Sequence, residues 1–128
     1  KGLLRLPVLT EDCTSNYHMF YVLLPNEATR DGLIGHLRSQ GIHAVFHYVP
    51  LHSSPKGREF GYKEGDLPVT EELSSRVLRL PFFYEITKDG QMQVGRQIEA
   101  FVAASGARRS GAPVVTRIAP QTYNRGIK

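Results

Sequence analysis

The segment YHMFYVLLP, residues 17–25, constrains this chain more than any other. Aromatic and aliphatic side chains fill it almost completely, so the folded chain must cover both of its faces. That pattern predicts a buried strand, stopped by Pro25. The next stretch, NEATRDGLIGHLRSQG (26–41), changes period. Leu33, Ile34 and Leu37 form one helical stripe, Asn26 is placed to cap the start, Glu27 lies in the first turn, and Gly41 is placed to end the helix. Gly32 and Gly35 each cost on the order of 1 kcal/mol inside a helix. Close packing against a sheet is the expected return.

A second strand, IHAVFHYVP (42–50), follows, and then a loop or short helical turns over 53–66. LPVTEELSSRVL (67–78) predicts a helix, opened by Pro68 or capped by Thr70. A short third strand is expected near Leu78–Leu80, with Pro81 stopping it or making it an edge. TKDGQMQVGRQIEAFVAAS (87–105) carries Met92, Val94, Ile98, Phe101 and Val102 at helical spacing. Residues 1–16 read as a lead-in segment, 17–104 as the folded domain and 105–128 as a flexible basic tail. The order β–α–β–loop–α–β–α fits an α/β fold, an α+β two-layer sandwich. Its sheet is small, mixed or antiparallel, with helices on one face.

A chain of 128 residues suits one domain with a modest core. No apolar run approaches the roughly 20 residues needed to cross a bilayer, and the start lacks the pattern of a secretory signal. Cys13 is the single cysteine. A cytoplasmic protein without disulfides is the simplest expectation. The net charge of +4 is uneven: five of the 16 basic residues (Arg108, Arg109, Arg117, Arg125, Lys128) and none of the 12 acidic ones follow Ser105. The remainder is nearly balanced, which argues against nucleic acid as a partner.

The stretch GIHAVFHYVPLHSSP (41–55) concentrates chemistry where a strand should end. His47 and His52 are five apart, on opposite faces of an extended chain, and no zinc-type spacing accompanies them. A serine-nucleophile elbow and a glycine-rich phosphate loop are both absent. If the chain stays extended, Phe46, Tyr48 and His52 share a face, while Val45, His47 and Val49 take the other. Tyr48 and His52 would then lie roughly 13 Å apart. That spacing suits a pocket rim for an extended ligand better than a proton relay. The competing reading makes these residues half-buried side chains with satisfied polar tips.

HMFYVLLP, GIHAVFHYVPLHSSPKGREFG, LPVTEELSSRVLRLPFF and the closing amphipathic helix, in this order, resemble the carboxy-terminal small domain of the DegT/DnrJ/EryC1/StrS sugar aminotransferases. The likeness covers about residues 17–103. It implies a fold type I enzyme that uses pyridoxal phosphate and aminates a dTDP-4-keto-6-deoxyhexose. A large domain would supply the Schiff-base lysine, glutamate the amino group, and a homodimer the complete sites. Lys1, Lys56, Lys63, Lys88 and Lys128 match none of the contexts of that lysine, so the resemblance implies no catalytic or cofactor-binding residue in this chain. The missing large domain implies a fragment, inactive alone. His47, Tyr48 and His52 become the implied substrate-binding residues. The alternative is a free-standing α/β binding or regulatory module with a basic tail.

Overall fold

The computed structural model describes residues 4–9, 11–105 and 115–117. Five strands form one sheet: β1 (Leu4–Leu6), β2 (Phe20–Leu23), β3 (Val45–Phe46), β4 (Val77–Leu80) and β5 (Val115–Arg117). Their spatial order is β3-β4-β2-β1-β5. β2 is central and antiparallel to both β1 and β4, and β3 is antiparallel to β4. β5 runs parallel to β1. The sheet is therefore mixed.

Only the second half of the run expected to be buried is buried: Tyr17 is 67% exposed and Phe20 41%. Val22, Leu23 and Leu24 are inside, although the strand is shorter than its apolar stretch. Helix α1 (Glu27–Ser39) starts as its sequence requires, with Asn26 Oδ1 accepting the Thr29 N–H at 2.8 Å. Helix α4 (Lys88–Ala104) is capped by Thr87, whose Oγ1 accepts the Gly90 N–H at 3.1 Å. Leu33 and Leu37 of α1 join Ile98 and Val102 of α4, and Leu4, Val22 and Leu78 of the sheet, in one core. The two long helices thus share the layer that covers the sheet. Met92, on the expected α4 stripe, is exposed instead.

Several expectations change. Leu4 is a core residue, so the segment read as a lead-in contributes β1. Val115–Arg117, inside the stretch read as a flexible tail, pairs with that strand. Residues 106–114 and 118–128 of that stretch lie outside the described residues. Gly32 serves helix–helix packing and not the sheet, since a Cβ there would sit 3.3 Å from Phe101 Cζ of α4. Gly35 faces open space. Helix α3 (Pro68–Arg76) begins with Pro68 in its first turn, and its capping position is Leu67, not Thr70. It runs into β4 with no connecting residue, because Val77 is already extended. Arg76 fixes that junction: its Nε donates to the Leu24 carbonyl at 2.7 Å, and its own carbonyl accepts the Leu24 N–H at 3.1 Å.

Candidate functional site

The second strand is much shorter than its apolar pattern. Val45 and Phe46 pair with Arg79 and Leu78, and then the chain leaves the sheet. A single 3-10 turn, Leu51–Ser53, coils it back, with the Ser53 N–H donating to the Pro50 carbonyl at 3.1 Å. Ser54 then caps α2 (Pro55–Glu59) by accepting the Gly57 N–H at 3.1 Å. The corner is tight enough to exclude a side chain: a Cβ on Gly57 would lie 2.2 Å from the Leu51 carbonyl oxygen. The alternation that would place Tyr48 and His52 on one extended face is broken here.

The three residues read from the sequence accordingly part company. Tyr48 is 73% exposed. The half-buried His47 ring meets it edge-on, with centroids 5.3 Å apart, and the Arg79 guanidinium of β4 lies 5.3 Å from the centre of its ring. Among the described residues, His47 Nδ1 and Arg79 Nε are buried without a hydrogen-bond partner. His47 and Tyr48 line a hollow of about 420 Å³ with Glu27, Arg30, Asp31 and Ser74. Arg30 is held there by Glu27 Oε1 at 2.8 Å and Asp31 Oδ1 at 2.7 Å, with its guanidinium 5.6 Å from the Phe46 ring centre.

His52 does not reach that hollow. It is 6% exposed, and its Nε2–H donates to Glu71 Oε1 of α3 at 2.7 Å. The same carboxylate oxygen accepts the Gly65 N–H at 2.8 Å. The His52 hydrogen bond, and after it that of Gly65, holds the Glu71 carboxyl below the usual glutamate value. His52 also borders a second hollow of about 490 Å³, walled by Leu51, Phe60, Tyr62 and Leu67.

Arg79, Arg30 and Glu71 escaped the sequence reading. Arg79 carried a usable signal, a cation inside the apolar strand VLRL. Glu71 looked like an ordinary acid in a first helical turn, and only the fold brings His52, 19 positions earlier, against it.

Pyridoxal phosphate needs a sheltered lysine for covalent attachment, and the described residues do not fit it. Lys56 is exposed and pairs with Glu59, while Lys63 and Lys88 are also exposed. Among the described residues no helix is long and apolar enough to cross a membrane, and no group of three or more His, Cys, Asp or Glu could hold a metal ion. What the His47–Tyr48 surface offers is an aromatic face and a phenol, braced from below by a cation and suited to hydrogen bonds with hydroxyl or phosphate oxygens.

Residues 1–99, strands β1–β4 and most of α4, match the profile of the DegT/DnrJ/EryC1/StrS aminotransferase family. The chain belongs to that family. A family-type relative, the dTDP-3-amino-3,4,6-trideoxy-alpha-D-glucose transaminase of Micromonospora megalomicea subsp. nigra, is 34% identical over 93 residues, covering 71% of this chain and 24% of the relative. The "pleiotropic regulatory protein" of Geobacillus stearothermophilus is 35% identical over 97 residues, or 75% of this chain and 26% of its own length. Among solved structures, S. venezuelae DesV in complex with a ketimine intermediate superposes with a TM-score of 0.71 at 32% identity, covering 78% of this chain and 27% of DesV. The aminotransferase TlmJ of Streptoalloteichus hindustanus also gives 0.71, at 28% identity over 81% of this chain and 27% of TlmJ. The α/β two-layer fold is thus that of family members, and the chain spans about a quarter of the length of the relatives it matches.

Proposed function

We propose that the chain is the carboxy-terminal small domain of a pyridoxal-phosphate-dependent sugar-nucleotide aminotransferase, and that His47 and Tyr48 form part of the wall against which the sugar nucleotide lies. The observation that carries this reading is the presentation of Tyr48. A large aromatic residue stands exposed at the end of β3, with the Arg79 guanidinium and the His47 ring set against it. Family membership supplies the reaction class. The substrate is a dTDP-4-keto-6-deoxyhexose, glutamate donates the amino group, and the working protein is a cytoplasmic homodimer. The cofactor supplies the electron sink for amino transfer. In this reading it is held by a lysine-bearing large domain, and the present chain binds and orients the sugar nucleotide. The binding-module alternative rests on Arg108 and Arg109, which lie outside the described residues.

The test joins this chain to the lysine-bearing portion of a family relative and measures amination of the keto sugar nucleotide. Tyr48→Phe removes one hydroxyl. If that hydroxyl bonds a charged phosphate oxygen, its loss costs about 1.5–3 kcal/mol, on the order of ten- to a hundredfold in kcat/KM. The half-reaction with glutamate should be unaffected. An active chimera whose kinetics ignore both Tyr48→Phe and His47→Ala would overturn the assignment.

A further inference from the structure

The segment Gly61–Leu67 is exposed at every position, so apolar packing does little to hold it. It nevertheless carries Tyr62 and Leu67, two walls of the 490 Å³ hollow. Gly61 and Gly65 adopt positive φ of 88° and 93°, so the segment turns sharply at both ends. Its other hydrogen bonds are local: the Tyr62 N–H reaches the Gly57 carbonyl at 3.2 Å, and the Lys63 N–H reaches Asp66 Oδ2 at 2.9 Å. Among the described residues, the bond from the Gly65 N–H to Glu71 Oε1 ties the far end of the turn to the body of α3. Glu71 is itself anchored by a histidine that is almost wholly buried.

We propose that His52 and Glu71 form a latch that positions the Gly61–Asp66 turn, and through it the Tyr62–Leu67 wall of the hollow. His52, which itself borders the hollow, then acts as a positioning residue through Glu71. The latch couples the 3-10 turn to α3 and to the 61–66 turn that leads into that helix. It is also sensitive to protons, because a carboxylate accepts the Gly65 N–H better than a neutral acid does. The other charged groups near it are engaged elsewhere or exposed. Lys56 pairs with Glu59, Glu72 pairs with Arg76, Asp66 accepts from the Lys63 amide, and Arg58, Lys63 and Glu64 are exposed side chains.

The experiment follows the Gly65 amide in the full chain by NMR, as proton shift against pH and as hydrogen-exchange protection. It needs no enzymatic activity, so its outcome is independent of the amination reading. In the unmodified chain the Gly65 shift should titrate with a midpoint below that of an ordinary glutamate. His52→Ala should move the midpoint upward, and His52→Gln, which can still donate, should restore much of the difference. Glu71→Ala should remove protection at Gly65 by tenfold or more while leaving Leu33 and Val22 protected. Glu71→Gln should keep protection within about threefold but abolish the titration. A Gly65 profile unchanged by His52→Ala and Glu71→Ala overturns the latch. Should the alanine variants fail to fold, a Gly65 shift that still titrates in Glu71→Gln overturns it equally, and a flat one supports it.

Discussion

At the scale of single residues, Gly57 and Glu71 make the sharpest claims. Gly57→Ala places a methyl group 2.2 Å from the Leu51 carbonyl oxygen and 2.5 Å from that of His52. Both are backbone atoms, so the 3-10 turn must move. Overpacking of this kind costs about 1–3 kcal/mol. The expected result is a Tm lower by several degrees, roughly 2–8 °C per kcal/mol at this size, measured by thermal unfolding. An unchanged Tm would show that the corner can yield to an added methyl group. The pH dependence from Glu71 has a definite sign. Its folded pKa lies below the ordinary one, so its contribution is complete above the ordinary value and is lost as pH falls through the lower, folded value. Glu71→Gln should therefore flatten the acid limb of Tm against pH. The candidate site was half legible at this scale. Tyr48 is as accessible as a rim residue must be, and His47 stays beside it. His52 was misplaced because strand periodicity was carried past Phe46, where Pro50 and the serines at 53 and 54 already favour a turn and a helix cap.

At the scale of elements, α1 offers a matched pair of substitutions. Gly35 and Gly32 sit one turn apart, yet an added Cβ meets nothing at the first and Phe101 at the second. Gly35→Ala should stabilise by about 0.5–1 kcal/mol from helix propensity alone. Gly32→Ala should gain less or lose, since the aromatic ring of α4 must give way. Chemical denaturation of both variants decides the point, and equal gains would contradict the α1–α4 contact. Asn26→Ala should cost about 1 kcal/mol through the lost cap. The elements themselves were largely readable. Helix α1 announced itself through its cap and stripe, α4 through its stripe, α3 through its opening proline, and β2 through the apolar run whose second half is buried. β1 did not, because three residues, LRL, carry no period, and a strand that short is defined by its neighbours in the sheet. β5 failed for the same reason, amid a sequence rich in Gly and Pro.

At the scale of the whole molecule, the sheet closes around a pairing between its two most distant segments. Leu4, Arg5 and Leu6 register with Val115, Thr116 and Arg117. The composition of residues 105–128 predicts a dispensable tail, whereas this pairing predicts a local cost. Truncation after Ala104 should leave one side of β1 without partners and raise amide exchange at Leu4–Leu6 at least tenfold, while Leu33 and Leu37 hold. Exchange at β1 that ignores the truncation would return the tail to a dispensable role. The seam between α3 and β4 has a different reach. Arg76 ends the helix, Val77 begins the strand, and the helix bears Glu71 while the strand bears both core Leu78 and outward Arg79. With no slack between them, inserting one residue would exchange the two faces of β4 or swing Glu71 roughly 100° around the helix axis. Copies of this gene can therefore vary in length across the exposed 61–66 turn far more easily than at Arg76–Val77, where a single added or dropped codon is a lesion.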